Sequence, residues 1–405
     1  MGLWRTSSVI IDQLLPARRS FVSSSHFDID FSVPCTQRLR FTEDVLAEDF
    51  AVFRSLLVAS GPAAPKVQLW VDRGVLENYG EKLAQFEQAI RDDGGLNLTL
   101  PMQTVTAGEA CKRQPAIIET MWSAFNRTNM DRRSYVVAIG GGAVLDAVGY
   151  ATATAHRGLR IIRLPTTTLS QADSGVGVKN AINYFDKKNW LGTFAVPWAV
   201  INDLSLIAGL PDRDFRCGFS EAVKVSLLKS SEAFDDLCEN ADQIRGRDLG
   251  LAQEAIRFSI MAHLRHITEG GDPFEAEMAR PLDFGHWSAH KLEAMTEYQL
   301  RHGEAVSIGV ALDCLYSARV HGLRHADALR VVRCLADLGL PTSHPLLGNK
   351  QILFDGLEEF RQHLGGELTI TMLDEPGLPL DVHEIDFKAM ADAIDELVAI
   401  SEDPE

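Results

Sequence analysis

His286 and His290 stand four residues apart in Asp283-Phe284-Gly285-His286-Trp287-Ser288-Ala289-His290, a spacing that puts both on one face of a helix. His302 follows in Arg301-His302-Gly303-Glu304, ahead of an apolar helical run. Upstream, Phe219-Ser220-Glu221-Ala222-Val223-Lys224 sets Glu221 and Lys224 at i, i+3. The neighbours Phe219, Val223, Val225, Leu227 and Leu228 make that helix read as buried, where a charge needs a partner. One carboxylate and two imidazoles around an open position are the donors of many catalytic zinc sites, which polarise a hydroxyl or carbonyl oxygen. Spacing alone leaves open which of the three histidines would bind.

A second group suits phosphate. Gly140-Gly141-Gly142 separates the apolar run Tyr135–Ile139 from the helical stretch Ala143–Tyr150. A strand passing through glycine into a helix lets backbone N–H groups approach a phosphate that a Cβ would block. The pattern is GGGxxxD rather than GxGxxG, and a tight turn without a ligand fits it equally well. Asp72 ends an earlier strand and suits either a ribose hydroxyl or an ordinary cap. Between residues 161 and 194, Ile161–Leu164 reads as an apolar strand and leads into Pro165-Thr166-Thr167-Thr168. Gln171, Asp173, Ser174, Lys179, Asn180, Asn183, Lys188 and Asn189 follow, interleaved with Gly175, Gly177 and Gly192. Such a stretch suits a polar ligand, with Lys179 and Lys188 as point charges for a phosphate. A long solvated hairpin is the plain alternative.

The elements that must position these residues change character along the chain. Lys66–Asp72, Asn97–Val105 and Tyr135–Ile139 read as strands, alternating with helical spacing over Glu77–Arg91 and Ala116–Asn126. That alternation predicts a parallel, doubly wound sheet. Beyond about Pro211 the period is helical: Phe219–Lys229, Leu251–Glu269, Ser288–Thr296, Ala305–Val320, His325–Leu338 and Phe387–Ile400. The expectation is an α/β chain in three regions. Residues 1–65 form an extension with first elements, a strand opening at Arg38–Arg40 and a helix over Asp44–Leu57. Residues 66–210 form the sheet domain, and residues 211–405 an all-helical domain.

Composition narrows the function. With 39 basic against 56 acidic side chains in 405 residues, the net charge of −17 argues against a general nucleic-acid binder. A small anionic substrate remains compatible, because it responds to a few local cations. No apolar run reaches the ~18 residues of a membrane span. Cys35, Cys111, Cys217, Cys238, Cys314 and Cys334 are scattered, which suits reduced thiols and a cytoplasmic protein. Met1-Gly2-Leu3-Trp4-Arg5-Thr6 fits a loose myristoylation pattern, without the second signal that stable anchoring needs.

Taken together, several segments resemble the 3-dehydroquinate synthase superfamily, the sugar-phosphate cyclases. They are Gly108–Lys112, Gly140–Asp146, Arg157-Gly158, Pro165–Thr167, Asp173–Lys179, Lys188-Asn189, Glu221 with Lys224, Asp283–His286 and His302–Glu304, in family order. The resemblance implies a Rossmann-like NAD domain followed by a helical metal- and substrate-binding domain, the active site lying between them. It implies NAD and a divalent metal, zinc or cobalt, as cofactors, and Glu221, His286 and His302 as metal ligands. By the same likeness Asp72, Glu109, Lys112, Gly141, Gly142, Ala143, Asp146, Thr166, Thr167, Leu169, Asp173 and Ser174 line the NAD site, joined by Lys179 and Lys188. Lys179, Lys188, Asn189 and Lys224 surround the substrate, with Asp283 and His290 beside them. Arg157 matches an arginine that reaches a neighbouring subunit's phosphate site, which implies a homodimer. The implied reaction oxidises a ring hydroxyl transiently, eliminates phosphate, returns the hydride and closes a carbocycle by an aldol step.

The chain departs from the 3-dehydroquinate synthase pattern at the substrate end. The arginine that clamps a carboxylate falls on Ala279, an asparagine becomes Asp283, and the C-terminal D-K-K element is absent, with Arg361-Gln362-His363 in about its place. Losing a charge-assisted bond costs ~1.5–3 kcal/mol, roughly 10- to 100-fold in preference. These changes resemble the cyclitol-forming 2-epi-5-epi-valiolone synthases, which act on sedoheptulose 7-phosphate, although His290 is retained. Arg280 or His363 could restore a cation. A 3-dehydroquinate synthase with an altered clamp is the nearest alternative, and a metal-dependent alcohol or glycerol dehydrogenase is one of another class.

Overall fold

The computed structural model describes residues 28–29, 31–185, 187–270, 274, 281–363 and 366–402, without the side chains of Pro281 and His363. Residues 37–405 form one compact unit, and the described residues ahead of it carry no helix or strand. The myristoylation pattern, Ala279 and Arg280 lie outside the described residues.

The strands are β1 (Leu39–Thr42), β2 (Lys66–Asp72), β3 (Asn97–Leu98), β4 (Gln103–Val105), β5 (Tyr135–Gly140), β6 (Arg160–Pro165), β7 (Lys179–Tyr184), β8 (Lys187–Phe194), β9 (Ala199–Asp203), β10 (Ile370–Glu375) and β11 (Leu378–Val382). The first-half helices are α1 (Phe50–Ser55), α2 (Arg73–Asp92), α3 (Pro115–Arg127) and α4 (Gly142–Thr154). After the sheet come α5 (Ser205–Ala208), α6 (Asp212–Cys217), α7 (Phe219–Lys229), α8 (Ser231–Arg245), α9 (Leu249–Glu269), α10 (His286–Met295) and α11 (His302–Val320). The last are α12 (His325–Asp337), α13 (Lys350–His363) and α14 (Phe387–Glu402). None of the described helices is long and apolar enough to cross a membrane.

The main sheet runs β1-β9-β6-β5-β2-β3, with β4 also on β2, and every pairing in it is parallel. A parallel sheet is covered on both faces, which is why Tyr135–Gly140 is buried at every residue instead of alternating. Leu83, Phe86 and Ile90 of α2 fill one face, while Ile118 and Met121 of α3 and Val144 and Val148 of α4 fill the other. From β2 the chain goes one way to β3 and β4, then returns to β5 on the opposite side. The sheet order therefore reverses between β2 and β5, and the carboxyl ends of these strands frame the crevice where such sheets bind ligands.

Several expectations change in detail. The α/β class and helical second half hold, but that half also carries the antiparallel β10–β11 hairpin. β1 comes from the supposed extension and pairs with β9. The helix expected over Asp44–Leu57 shortens to α1, because Asp49 accepts hydrogen bonds from Glu43 N and Asp44 N and folds the chain into a turn. Asn97–Val105 is two short strands rather than one. The polar stretch ends in the β7–β8 hairpin, whose first strand is buried at Asn180, Ala181 and Ile182 rather than solvated. The sheet ends at Asp203 and the helical core gathers Ile207, Phe215 and residues beyond.

Arg163 stands in β6, within the run read as apolar, and is fully buried. Its Nη1 donates to the carbonyls of Ser174, Gly175 and Gly177 at 3.2, 3.0 and 2.7 Å, and its Nη2 to Asn180 Oδ1 at 2.7 Å. Burial pulls the guanidinium down to about 10, still a cation at neutral pH. One side chain thus pins the loop joining Asp173 to Lys179. Arg163→Leu should cost about 3 kcal/mol or more by stranding buried acceptors, with Arg163→Lys recovering only part; denaturant midpoints measure both.

Candidate active site

Glu221 lies on α7, His286 opens α10 and His302 opens α11. One donor atom from each falls within 4.8 Å of the other two. Glu221 is wholly buried and its Oε1 has no hydrogen-bond partner. Lys224 Nζ stands 2.5 Å from Oε2 and His286 Nε2 stands 3.8 Å from Oε1. The histidines are already oriented: His286 Nδ1 faces the Phe284 carbonyl at 3.1 Å, and His302 Nδ1 faces Glu293 Oε2 at 3.0 Å. Each therefore keeps its Nε2 lone pair for a ligand. Burial, then Lys224 and the neighbouring histidines, hold His286 well below its ordinary value, the neutral form a metal requires. Burial opposes charge on His302 as well, but Glu293 outweighs it and raises its pKa. A buried carboxylate with one unpartnered oxygen, facing two oriented imidazoles, fits a divalent cation.

Two other triplets are equally compact, His290–Glu293–His302 and Asp173–Glu221–His263. The first would have to draw Glu293 away from His302 Nδ1 and from Lys188 Nζ, which sits 3.1 Å from Oε1. In the second, His263 Nε2 is 3.2 Å from Asp173 Oδ1 while its Nδ1 faces the Ser259 carbonyl at 3.0 Å. The Glu221, His286 and His302 set leaves both arrangements intact.

The nucleotide-type residues gather at the crevice between β2 and β5. Asp72 accepts from Gly74 N at 2.7 Å, so it caps α2, and burial raises its pKa. Gly141 precedes α4, and a Cβ on Gly142 would come within 3.0 Å of Ser174 Oγ. Thr166 N bonds the Gly140 carbonyl at 3.1 Å, bringing the threonine run beside the glycine turn. Thr167 and Ser170 exchange hydrogen bonds around Leu169 and close that run into a turn. Lys112 bonds Asp146 at 2.7 Å and also Asn189, while Ala143 O accepts from Cys111 Sγ. A cradle that side chains would fill, beside a helix N-terminus, fits a pyrophosphate.

The β7–β8 hairpin stands over this crevice. Glu109 accepts from Asn183 Nδ2 at 2.7 Å, and Asn189 takes a positive φ of 57° that turns its amide to Asn183. Lys188 and Lys224, expected as cations for a phosphate, each carry a carboxylate partner, Glu293 and Glu221. Asp173 is held below its ordinary value although burial opposes it, because His263, Lys224, Lys179 and His302 surround it. His290 is exposed, with its ring 5.4 Å from His286 and 5.9 Å from His302. Asp283 lies in the short turn leading to Gly285. Arg157 is exposed and follows the far end of α4, a helix of about 20 Å. This chain does not itself bring Arg157 to the cluster.

The chain matches known proteins in sequence and in fold. The family model described as 3-dehydroquinate synthase N-terminal matches residues 102–217, and that described as 3-dehydroquinate synthase C-terminal matches residues 218–363. The chain belongs to the 3-dehydroquinate synthase family. It is 32% identical over 318 residues to a 2-epi-5-epi-valiolone synthase of Streptomyces glaucescens, 78% of this chain and 80% of that protein. It is 31% identical over 363 residues to a 3-dehydroquinate synthase of Halorhodospira halophila, 88% of this chain and 94% of that one. A solved 2-epi-5-epi-valiolone synthase from Streptomyces hygroscopicus subsp. jinggangensis, with NAD+ and Zn2+ bound, shares the fold. Its TM-score is 0.80 at 24% identity, over 92% of this chain and 99% of that one.

Within the 3-dehydroquinate synthase fold, four buried polar residues escaped the sequence reading. Glu293 carried a usable signal, since it follows His286 and His290 at i+7 and i+3 on the same helical face. His263 had none, its partner Asp173 being distant in sequence. Arg163 was hidden by its apolar neighbours, and Asp313 by the apolar run of α11. Asp313 is fully buried, accepts from Gly285 N at 3.0 Å and Trp287 Nε1 at 2.9 Å, and so fixes the turn at Gly285 (φ +76°) that presents His286. Burial pushes Asp313 up to about 7 against those two bonds. Its folded pKa exceeds the unfolded value of about 3.9, so it favours folding at low pH and loses that contribution as pH rises towards 7. Asp313→Asn should flatten this loss, by about 4 kcal/mol at most between pH 4 and 8. Paired denaturation curves check it; parallel pH profiles for parent and variant would contradict it.

Proposed function

We propose that this chain is an NAD- and metal-dependent sugar-phosphate cyclase that converts a neutral keto-sugar phosphate, sedoheptulose 7-phosphate, to a carbocycle with loss of phosphate. The observation that carries the proposal is the buried Glu221 carboxylate, its Oε1 without a partner, facing His286 and His302, in a chain that also builds a glycine crevice at the sheet's switch point. When bound, the metal would polarise the substrate hydroxyl and the ketone, and NAD would take and return one hydride.

The chain's own residues do the rest. Backbone N–H groups at Gly141 and Gly142 receive the pyrophosphate, and Lys112, held by Asp146, borders it. Lys179, Lys188 and Asn189 on the hairpin face the sugar phosphate, and Lys224 lies beside the metal ligands. As fixed charges they stabilise the departing phosphate and the developing enolate without reorganising. Asp173, with His263 at its back, lines the NAD site. Asp283, in the turn before His286, accepts from sugar hydroxyls and repels a carboxylate. Arg157 reaches the site of a second copy, its exposed end presented by positive φ at His156 and Arg157.

The relative with greater coverage is a 3-dehydroquinate synthase, which supports a second reading with a carboxylated substrate. Phosphate release with NAD and Zn2+ or Co2+ present decides between them. Sedoheptulose 7-phosphate should exceed the heptulosonate 7-phosphate that yields dehydroquinate by about 10- to 100-fold. Turnover of only the carboxylated sugar would establish the second reading. Accumulating NADH without phosphate would indicate a dehydrogenase instead.

A further inference from the structure

We infer that Glu293 is a positioning residue whose carboxylate bridges the metal ligand His302 and the hairpin residue Lys188, so that metal binding and the seating of the β7–β8 hairpin are coupled. The inference rests on the reading of Glu221, His286 and His302 as metal ligands. Glu293 is 4% exposed and projects from the face of α10 that carries His286 and His290. Each oxygen has its own partner: Oε2 is 3.0 Å from His302 Nδ1, and Oε1 is 3.1 Å from Lys188 Nζ.

Two consequences follow from this division. The bond to His302 Nδ1 fixes the tautomer that leaves Nε2 for a cation, and makes the imidazole a better donor. The bond to Lys188 ties β8 to α10, while Asn183 and Asn189 tie the same hairpin to Glu109 and Lys112 on the nucleotide side. A cation on His302 strengthens the Nδ1–H bond to Glu293, which locks the carboxylate in the rotamer that Lys188 needs. By linkage, whatever seats the hairpin must then raise metal affinity by the same factor. Neutral glutamine cannot replace it. Its single oxygen serves one partner, its NH2 group meets the other as donor against donor, and the charge opposing Lys188 is gone.

The test uses metal-free full-length protein titrated with Co2+, followed by visible absorbance, with hydrogen exchange of the hairpin amides read at each occupancy. In the parent, Co2+ should slow exchange over residues 179–194. Glu293→Gln should weaken Co2+ binding 10- to 100-fold and abolish that slowing, and Glu293→Asp should fall between. Lys188→Met keeps the His302 arm, so it should retain metal affinity within about threefold while losing the exchange response; it serves if the Glu293 variants fold poorly. Glu293→Gln with parental affinity, or with a preserved hairpin response, overturns the inference. Loss of all binding in Glu293→Gln also overturns it, since Glu293 would then be a ligand. If Glu221→Gln binds Co2+ like the parent, the underlying metal reading fails instead.

Discussion

A carboxylate removed from water, with one oxygen on Lys224 and no hydrogen-bond donor on the other, is the constraint around which the second half of this protein is organised. Glu221 sits on a helix buried at every position from Phe219 to Leu228, so no rotation of the side chain returns it to solvent. Burying such a group without a partner costs several kcal/mol. Lys224, one turn away, offsets part of this, and the remainder calls for a second positive charge. The histidines that face it are brought there by the first residues of two different helices, α10 and α11. Each ring is turned by its Nδ1 partner, and the turn before His286 is fixed from behind by Asp313. The helical core thus supports one polar point with several independent anchors.

The sheet domain meets that point through the hairpin. β7 and β8 are half exposed and leave the main sheet, yet polar bonds run from them to both halves: to Glu109 and Lys112 on one side and to Glu293 on the other. Arg163 holds the loop that feeds them. Polar bonds with defined partners fix a geometry that apolar packing, tolerant of small shifts, would leave loose. A site assembled from two halves needs that kind of fixation at the join.

The sequence made the periodic and the paired legible. Parallel strands of β-branched residues, helices with apolar stripes, and the His286/His290 and Glu221/Lys224 spacings are all local patterns, and each found its place. Long-range pairing left no such mark. Asp173 meets His263, and Arg163 meets the carbonyls of a loop, through contacts that only the folded chain creates. The Asp44–Leu57 stretch misled because amphipathic spacing says nothing of an aspartate, Asp49, able to bond the backbone ahead of it and shorten the helix. Strand β1 was visible as a strand, but its membership of the sheet depends on β9, far along the chain.

With an overall charge of −17, an anionic ligand must be held by a few local cations. Of these, Lys112, Lys188 and Lys224 are each already matched by Asp146, Glu293 and Glu221. Such pairing avoids the cost of burying isolated ammonium groups, and it makes anion binding an exchange rather than a simple attraction. A divalent cation on Glu221 would draw that carboxylate from Lys224 and leave the ammonium facing the substrate. The cationic character of the site would then appear only after the metal is in place, so that a phosphate arriving at the metal-free protein would meet largely neutral ion pairs.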